Sequence, residues 1–133
     1  MDRLDEIVKA MKYDKDGLIT AVVVDAANKE VLQVAFMNAQ ALLDTVRTGK
    51  THFYSRSRGK QWMKGEESGH TQAVKAVYAD CDLDAVVVEV DQRGGACHEG
   101  YRSCFFRRLT AEGDWEVVGQ KVFDPQKVYK KKG

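Results

Sequence analysis

The chain has 133 residues, of which 44% are hydrophobic and 31% charged, and its formal net charge is +1. This length fits a single domain over residues 1–133, and the near-neutral charge excludes a global field that would attract nucleic acid or a membrane surface. No apolar run approaches the roughly 20 residues of a membrane span, and the acidic, amphipathic start is atypical of a signal peptide.

The first third of the chain predicts a helix, a pair of strands and a second helix. A short N-terminal helix is predicted by apolar residues at helical spacing, Leu4, Ile7, Val8 and Met11. The β-branched segments Leu18–Val24 and Glu30–Phe36 predict strands with a hairpin-like connection. Asn38 is a suitable N-cap for the second helix, and Gly49 is placed to end it.

The rest of the chain predicts mostly short strands separated by loops. Segment 56–70 is rich in glycine and basic residues and has almost no periodicity, which is typical of a functional or disordered loop. Strands are predicted at residues 51–55, 72–79 and 85–90, from Cys104 onward, and at 116–118. We expect residues 127–133 to be frayed. The expected fold is α+β and β-dominated, with mostly antiparallel strands and one or two short helices.

All three cysteines lie in one 25-residue segment, 80–104, which also carries three alternating aspartates. Thiolates are soft ligands that select zinc-like metals, whereas carboxylates are hard ligands that select magnesium or calcium. The segment therefore predicts two different metal ions. A set of only three thiolates leaves an open coordination position, which is typical of a catalytic zinc.

The aspartates Asp80, Asp82 and Asp84 resemble the start of an EF-hand calcium loop. That interpretation fails because Ala85 occupies the position that needs glycine, and the residues after it predict a strand instead of a helix. In a regular strand the three side chains would share one face but span about 13 Å. Direct binding of one ion would need a bend near Cys81 or bridging waters, and three solvated carboxylates on a strand edge is the alternative.

The cysteines have no C-x-x-C spacing, which disfavours a zinc ribbon or finger. Cys81 is out of phase with the aspartates, so in an extended chain it points to the opposite face. Three is an odd number, which disfavours a disulfide framework, so we expect reduced thiols and a cytoplasmic location. The alternative is that the cysteines are ordinary small buried residues.

His98 directly follows Cys97 and is a candidate general base or proton shuttle, because imidazole exchanges protons near neutral pH. A surface role is the alternative, and His52 and His70 remain open for the same task. Zinc deaminases combine H-x-E with P-C-x-x-C. This chain has neither motif, which excludes that family.

The segment from residue 56 to 64 places basic side chains beside Gly59 and Trp62, namely Arg56, Arg58, Lys60 and Lys64. Guanidinium groups match phosphate geometry, and an aromatic ring can stack on a base. A solvated surface loop is one alternative. Nucleic-acid binding is another, but the neutral overall charge weakens it.

Four motifs in this order, FYSRSR, WMKGEESGH, DCDLD and ACHEGYRSCF, closely resemble the phosphoribosyl-AMP cyclohydrolase family of histidine biosynthesis. The resemblance runs from about Val31 to Phe106. It implies hydrolysis of the N1–C6 bond in the adenine ring of N1-(5-phosphoribosyl)-AMP, the third step of histidine biosynthesis, giving the phosphoribosyl-formimino aminoimidazole carboxamide ribotide. It also implies an intertwined homodimer with its sites at the interface, a small-molecule nucleotide substrate, and no nucleic-acid or membrane partner.

The same resemblance implies one zinc and one magnesium ion per subunit. It assigns zinc to Cys81, Cys97 and Cys104, shared between two subunits, and magnesium to Asp80, Asp82 and Asp84. Our working hypothesis for the mechanism is that a zinc-activated water attacks C6 and that His98 accepts or relays its proton. We expect the substrate-binding residues to be Arg56, Arg58, Trp62, Lys64, Glu66, Ser68 and His70, with Lys64 the most favoured phosphate contact.

Glu99 departs from the family pattern, where threonine is common, and could alter the charge near His98. We expect no appended pyrophosphohydrolase domain. Two rival functions stay open: a structural-zinc module whose basic loop binds nucleic acid, and a different zinc-dependent amidohydrolase that acts on a purine nucleotide.

Overall fold

A computed structural model describes residues 2–129 of the chain. In chain order the elements are α1 (Arg3–Lys9), β1 (Ile19–Asp25), β2 (Val31–Met37), α2 (Ala39–Thr48), β3 (His52–Ser55), β4 (Lys60–Met63), β5 (Gln72–Ala79), β6 (Ala85–Gln92), β7 (Arg107–Leu109), β8 (Trp115–Val117) and α3 (Pro125–Tyr129). The fold is β-dominated, as predicted, although the described residues contain three short helices where one or two were expected. No helix within residues 2–129 has the length and apolar character needed to cross a membrane.

The main sheet has four strands in the order β2-β1-β6-β5. The β1–β2 and β5–β6 pairs are antiparallel, as expected for neighbours joined by short connections, whereas β1 and β6 are parallel. The parallel pair is possible because the chain between β1 and β6 is long enough for a crossover. Two further antiparallel pairs, β3–β4 and β7–β8, complete the strands.

The core lies on one face of the main sheet, under α1, α2 and β3. Val23 and Val88 from the central strands and Phe53 from β3 have no exposed surface. The second helix begins and ends where the sequence predicts. Asn38 accepts a hydrogen bond from the Ala41 amide at 2.8 Å, and Gly49 ends the helix with a left-handed φ of 75°.

Segment 56–70 is more regular than predicted, because β4 lies within it and pairs with β3. The physical reason is the burial of an aromatic side chain. The ring of Trp62 packs against Phe53 with centroids 5.1 Å apart and reaches the core.

Two predictions near the C-terminus are wrong. Cys104 does not begin a strand, because its amide donates to the carbonyl of Leu32 at 2.7 Å and β7 starts three residues later. Residues 127–129 belong to α3, which the sequence did not predict, and the remainder of the expected frayed tail, residues 130–133, lies outside the described residues.

A buried cluster of amide side chains joins the main sheet to the β3–β4 pair. The Gln72 side chain has no exposed surface and donates to the side-chain oxygens of Gln33 and Gln92, both at 2.7 Å. Its own oxygen accepts from the Thr51 hydroxyl at 2.7 Å. Every polar atom of the Gln72 amide is therefore paired, which fixes its orientation.

Candidate active site

The predicted metal ligands lie at opposite ends of β6. Residues 80–84, here named the aspartate turn, precede the strand, and residues 93–104, here named the cysteine loop, follow it. Eight residues at the usual rise of a strand separate the two ends by about 26 Å. Cys81 is therefore remote from Cys97 and Cys104 within one chain.

The aspartate turn supplies the bend that a shared ion requires. Leu83 has a left-handed φ of 62°, and one oxygen of Asp80 accepts from the amides of Asp84 and Ala85 at 3.1 and 3.3 Å. Carboxylate oxygens of Asp80, Asp82 and Asp84 consequently lie within 4.8 Å of one another. The strand-phase argument for Cys81 is wrong, because the residue belongs to a turn.

The three carboxylates interact strongly. Hydrogen bonding to the carboxyls of Asp82 and Asp80, together with some desolvation and repulsion, raises the pKa of Asp84 to about 6. For Asp80, desolvation acts upward, but hydrogen bonds from Asp84 and from backbone amides hold the pKa below its ordinary value. A hard cation would relieve this repulsion, so the donor set fits magnesium.

The cysteine loop is tied to the β1–β2 pair. Arg102 forms an ion pair with the buried carboxylate of Asp25 at the end of β1 and donates to the Gly94 carbonyl at 3.2 Å. The Ser103 hydroxyl donates to the Val31 carbonyl at 2.6 Å. These contacts, with the Cys104 amide on β2, hold both ends of the loop against the sheet.

Two cysteines of this loop come together. Cys97 is buried and Cys104 is exposed, and the two thiols are close enough for Cys97 to shift the pKa of Cys104. Burial of the thiol and the neighbouring Cys97 raise the pKa of Cys104 to about 11, Glu99 adds to the rise, and Lys64 opposes it. Two adjacent soft donors beside a cation fit a zinc ion.

The third predicted zinc ligand is not part of this pair. Among residues 2–129, the aspartate trio is the only group of three or more His, Cys, Asp or Glu residues whose ligand atoms lie within 4.8 Å of one another. Cys81 is exposed in the aspartate turn. One chain alone therefore does not bring the three cysteines together.

His98 is exposed and lines a cleft of about 280 Å³, here named the His98 cleft. Five predicted substrate residues line the same cleft: Arg58, Trp62, Lys64, Glu66 and Ser68. A neighbouring pocket of about 570 Å³ shares Arg58 and Trp62 with it and adds Arg56, whose guanidinium lies 3.9 Å above the Phe36 ring. Six of the seven predicted substrate residues thus lie in two adjoining cavities.

Glu66 and Ser68 also shape the chain that carries them. An oxygen of Glu66 accepts from the Met63 amide at 2.7 Å, and the Ser68 hydroxyl oxygen accepts from the His70 amide at 3.1 Å. Both side chains therefore stabilise the turn that follows β4, in addition to facing the cleft.

His70 lies behind the cysteine loop and outside both cavities. Its ring meets Phe123 edge-on with centroids 4.4 Å apart, and its buried Nδ1 has no hydrogen-bond partner in the described part of the chain. Burial lowers the pKa of His70, the carbonyl of Gly95 raises it, and Lys64 lowers it further. A Cβ on Gly94, which has a φ of 67°, would lie 2.6 Å from this ring.

His52 lies in β3 with its Nδ1 2.9 Å from the Lys50 carbonyl oxygen. Of the three histidines, His98 alone lines a cavity next to the paired thiols.

The sequence did not predict two sets of contacts that support the site, the Gln72 amide cluster and the Arg102–Asp25 ion pair. Their partners are 20 to 77 positions away in the chain, so no local pattern could have indicated them.

The sequence pattern of the phosphoribosyl-AMP cyclohydrolase family matches residues 33–106 of the chain. A phosphoribosyl-AMP cyclohydrolase of Methanosarcina mazei is 58% identical over 119 residues, 90% of this chain and 95% of that protein. The one from Methanosarcina barkeri is 59% identical over 121 residues, 91% of this chain and 90% of that protein. The one from Pelotomaculum thermopropionicum is 52% identical over 123 residues, 92% of this chain and 95% of that protein.

Proposed function

The chain belongs to the phosphoribosyl-AMP cyclohydrolase family of hydrolases in histidine biosynthesis, and on that premise we propose that it hydrolyses the N1–C6 bond of N1-(5-phosphoribosyl)-AMP. Water adds to C6, the bond from C6 to N1 breaks, and the product is the phosphoribosyl-formimino aminoimidazole carboxamide ribotide. The observation that carries the proposal is the placement of His98, Arg58 and Trp62 in one cleft beside the Cys97–Cys104 pair.

The cleft residues have separable tasks in this reaction. His98 accepts the proton of the attacking water and returns it to the departing nitrogen. Trp62 offers a ring face to the purine, and Arg58 and Arg56 offer guanidinium groups to the two phosphates. The two cavities, about 280 and 570 Å³, have the size usual for a small-molecule site and suit a nucleotide with two phosphoribosyl arms.

The metal ions belong to the proposal as well. Cys97 and Cys104 of one subunit with Cys81 of another would hold zinc, one ion per subunit, and Asp80, Asp82 and Asp84 would hold one magnesium ion. When bound, zinc supplies Lewis acidity that makes water nucleophilic near neutral pH. Magnesium at the exposed aspartates would bind phosphate or ribose oxygens of the substrate.

The length of β6 supports a homodimer. Because about 26 Å of strand separates Cys81 from the other two cysteines in one chain, a three-cysteine site needs a second copy. Exposed apolar side chains near the C-terminal strands, such as Leu109, Trp115 and Val117, suit an interface between copies. Three free cysteines suit the reducing cytoplasm.

The test is ultraviolet monitoring of adenine ring opening with purified protein and authentic substrate. We expect turnover with zinc and magnesium present, loss of turnover after chelation, and recovery only when zinc is returned. Cys97→Ala should be inactive under all these conditions. Undiminished turnover by the chelated Cys97→Ala variant would refute the zinc part of the proposal, and no turnover by the metal-loaded wild type would refute the reaction.

A further inference from the structure

Lys64 follows β4 directly, and its partly buried side chain lines the His98 cleft. Its Nζ donates a hydrogen bond to the carbonyl of Ala96, which has 1% of its surface exposed and precedes Cys97 in the chain. Its backbone amide donates to the Thr51 carbonyl at 3.0 Å. The residue is therefore held at its backbone by Thr51 and at its ammonium by the carbonyl of the residue before Cys97.

The ammonium of Lys64 lies near the two cysteines of the cysteine loop. None of the ion pairs between residues 2 and 129 involves Lys64. Burial lowers the pKa of Lys64, and the neighbouring Cys104 and Cys97 act in the opposite direction. The positive charge of Lys64 therefore lies beside Cys97 and Cys104, with the Ala96 carbonyl as its hydrogen-bond acceptor.

Zinc with three thiolates carries a net charge of −1, which is unfavourable in a partly buried site unless a cation lies nearby. Groups that contact metal ligands without binding the metal also orient those ligands and change affinity. Lys64 satisfies both conditions through its hydrogen bond beside Cys97 and its charge near both thiols.

We propose that Lys64 is a positioning residue for the zinc ligands: its ammonium orients the Ala96–Cys97 peptide and neutralises the excess negative charge of the thiolates. This inference rests on the proposed zinc set and gives Lys64 a role other than phosphate binding. It predicts that the affinity for zinc depends on Lys64 in the absence of any substrate.

The experiment compares three variants with a matched control. Lys64→Met removes both the charge and the hydrogen bond, Lys64→Gln keeps a donor without the charge, and Lys64→Arg keeps both. Lys75→Met removes the charge of an exposed lysine on β5. Zinc affinity is measured on full-length metal-free protein by competition with a chromophoric chelator. Cobalt(II) substitution gives the thiolate charge-transfer bands, and circular dichroism reports folding.

We expect Lys64→Met to bind zinc about 10 to 100 times more weakly, the range usual for loss of such supporting contacts. Lys64→Gln should be intermediate, because the shorter, neutral side chain keeps a hydrogen-bond donor near the Ala96 carbonyl. Lys64→Arg should restore both the affinity and the cobalt bands, and Lys75→Met should match the wild type. A role that is merely structural would not produce this ordering by charge.

Equal zinc affinity for the wild type and Lys64→Met would overturn the inference, above all if AMP binding weakened in the same variant. Should Lys64→Met not fold, equal affinity for Lys64→Gln and Lys64→Arg would overturn the charge role. The proposed reaction is judged separately. A wild type that opens no ring but binds zinc in a Lys64-dependent way refutes the reaction and supports the inference.

Discussion

Arg102, which lies between the two paired cysteines of the cysteine loop, forms an ion pair with Asp25 at the end of β1. The Asp25 side chain is almost fully buried, and its other oxygen accepts from the Ala27 amide at 2.8 Å. Burial acts to raise the pKa of Asp25, but the Ala27 amide and Arg102 outweigh it and hold the pKa below its ordinary value. The ion pair therefore joins the main sheet to the loop that carries Cys97 and Cys104.

Asp25→Asn should lower the stability of the protein near neutral pH and flatten its acid dependence. Because the folded-state pKa of Asp25 is depressed, its stabilisation is present above the ordinary pKa of 3.8 and is lost as pH falls through the folded value. Loss of a charged hydrogen-bond partner should cost about 1.5–3 kcal/mol at pH 7. Thermal melts between pH 3 and pH 7 measure both effects, with the exposed Asp16→Asn as control. If the stability of Asp25→Asn fell with acid as steeply as that of the wild type, the role given to Asp25 would be contradicted.

Gln72→Leu should destabilise the protein strongly, because it leaves the buried side-chain oxygens of Gln33 and Gln92 and the Thr51 hydroxyl without their partner. Each buried unsatisfied group costs about 1–3 kcal/mol. Urea unfolding gives the free energy. Gln40→Leu, on the exposed face of α2, removes an amide of the same size and should change stability little. Similar losses in the two variants would show that the cluster contributes nothing specific.

Activity should return when Cys81→Ala and Cys97→Ala subunits are combined. Each variant alone should be inactive, because every zinc site lacks one thiolate. In a mixed dimer, one of the two sites combines the unaltered Cys81 of one subunit with the unaltered Cys97 of the other. Random mixing of co-expressed subunits makes about half of the dimers mixed, so the activity should be about a quarter of that of the wild type. No recovery in a verified mixed dimer would mean that the three cysteines do not combine across subunits.

Magnesium should stabilise the protein through the aspartate turn. Hydrogen bonding to the carboxyls of Asp82 and Asp80 raises the pKa of Asp84 to about 6, so at pH 8 Asp84 is ionised, and a divalent ion relieves the repulsion within the turn. The melting temperature of the wild type should rise with magnesium concentration, and that of Asp82→Asn should rise much less. Asp91→Asn, an exposed aspartate at the far end of β6, is the matched control. An equal response of the wild type and Asp82→Asn would place the magnesium effect elsewhere.

Local chemistry explains which parts of the fold could be predicted. The second helix was predicted with both ends, because Asn38 and Gly49 act on the residues next to them. The aspartate turn was not, because its bend depends on Leu83, a bulky residue that rarely adopts a left-handed conformation. β4 was missed because it is four residues long and depends on the contact between Trp62 and Phe53.

The candidate site likewise has residues that the sequence predicts and contacts that it does not. Ligand chemistry predicts the cysteines and aspartates as metal ligands, since soft and hard donors are evident from residue type alone. The contact of Lys64 with Ala96 spans 32 positions, and that of Arg102 with Asp25 spans 77. Such contacts exist only after the sheet has assembled. Residue type alone therefore predicts only phosphate binding for Lys64.

Because His70 packs on Gly94, substitutions at the two positions depend on each other to different degrees. Position 94 needs glycine for two independent reasons, its φ of 67° and the imidazole 2.6 Å from any added Cβ. A smaller residue at position 70 would remove only the second reason, so the φ of Gly94 would still require glycine. The reverse does not hold: a histidine can be retained at position 70 only in lineages that keep glycine at position 94. The order in which substitutions are accepted behind the cysteine loop is therefore directional, and a mutational library should show this as one-way epistasis.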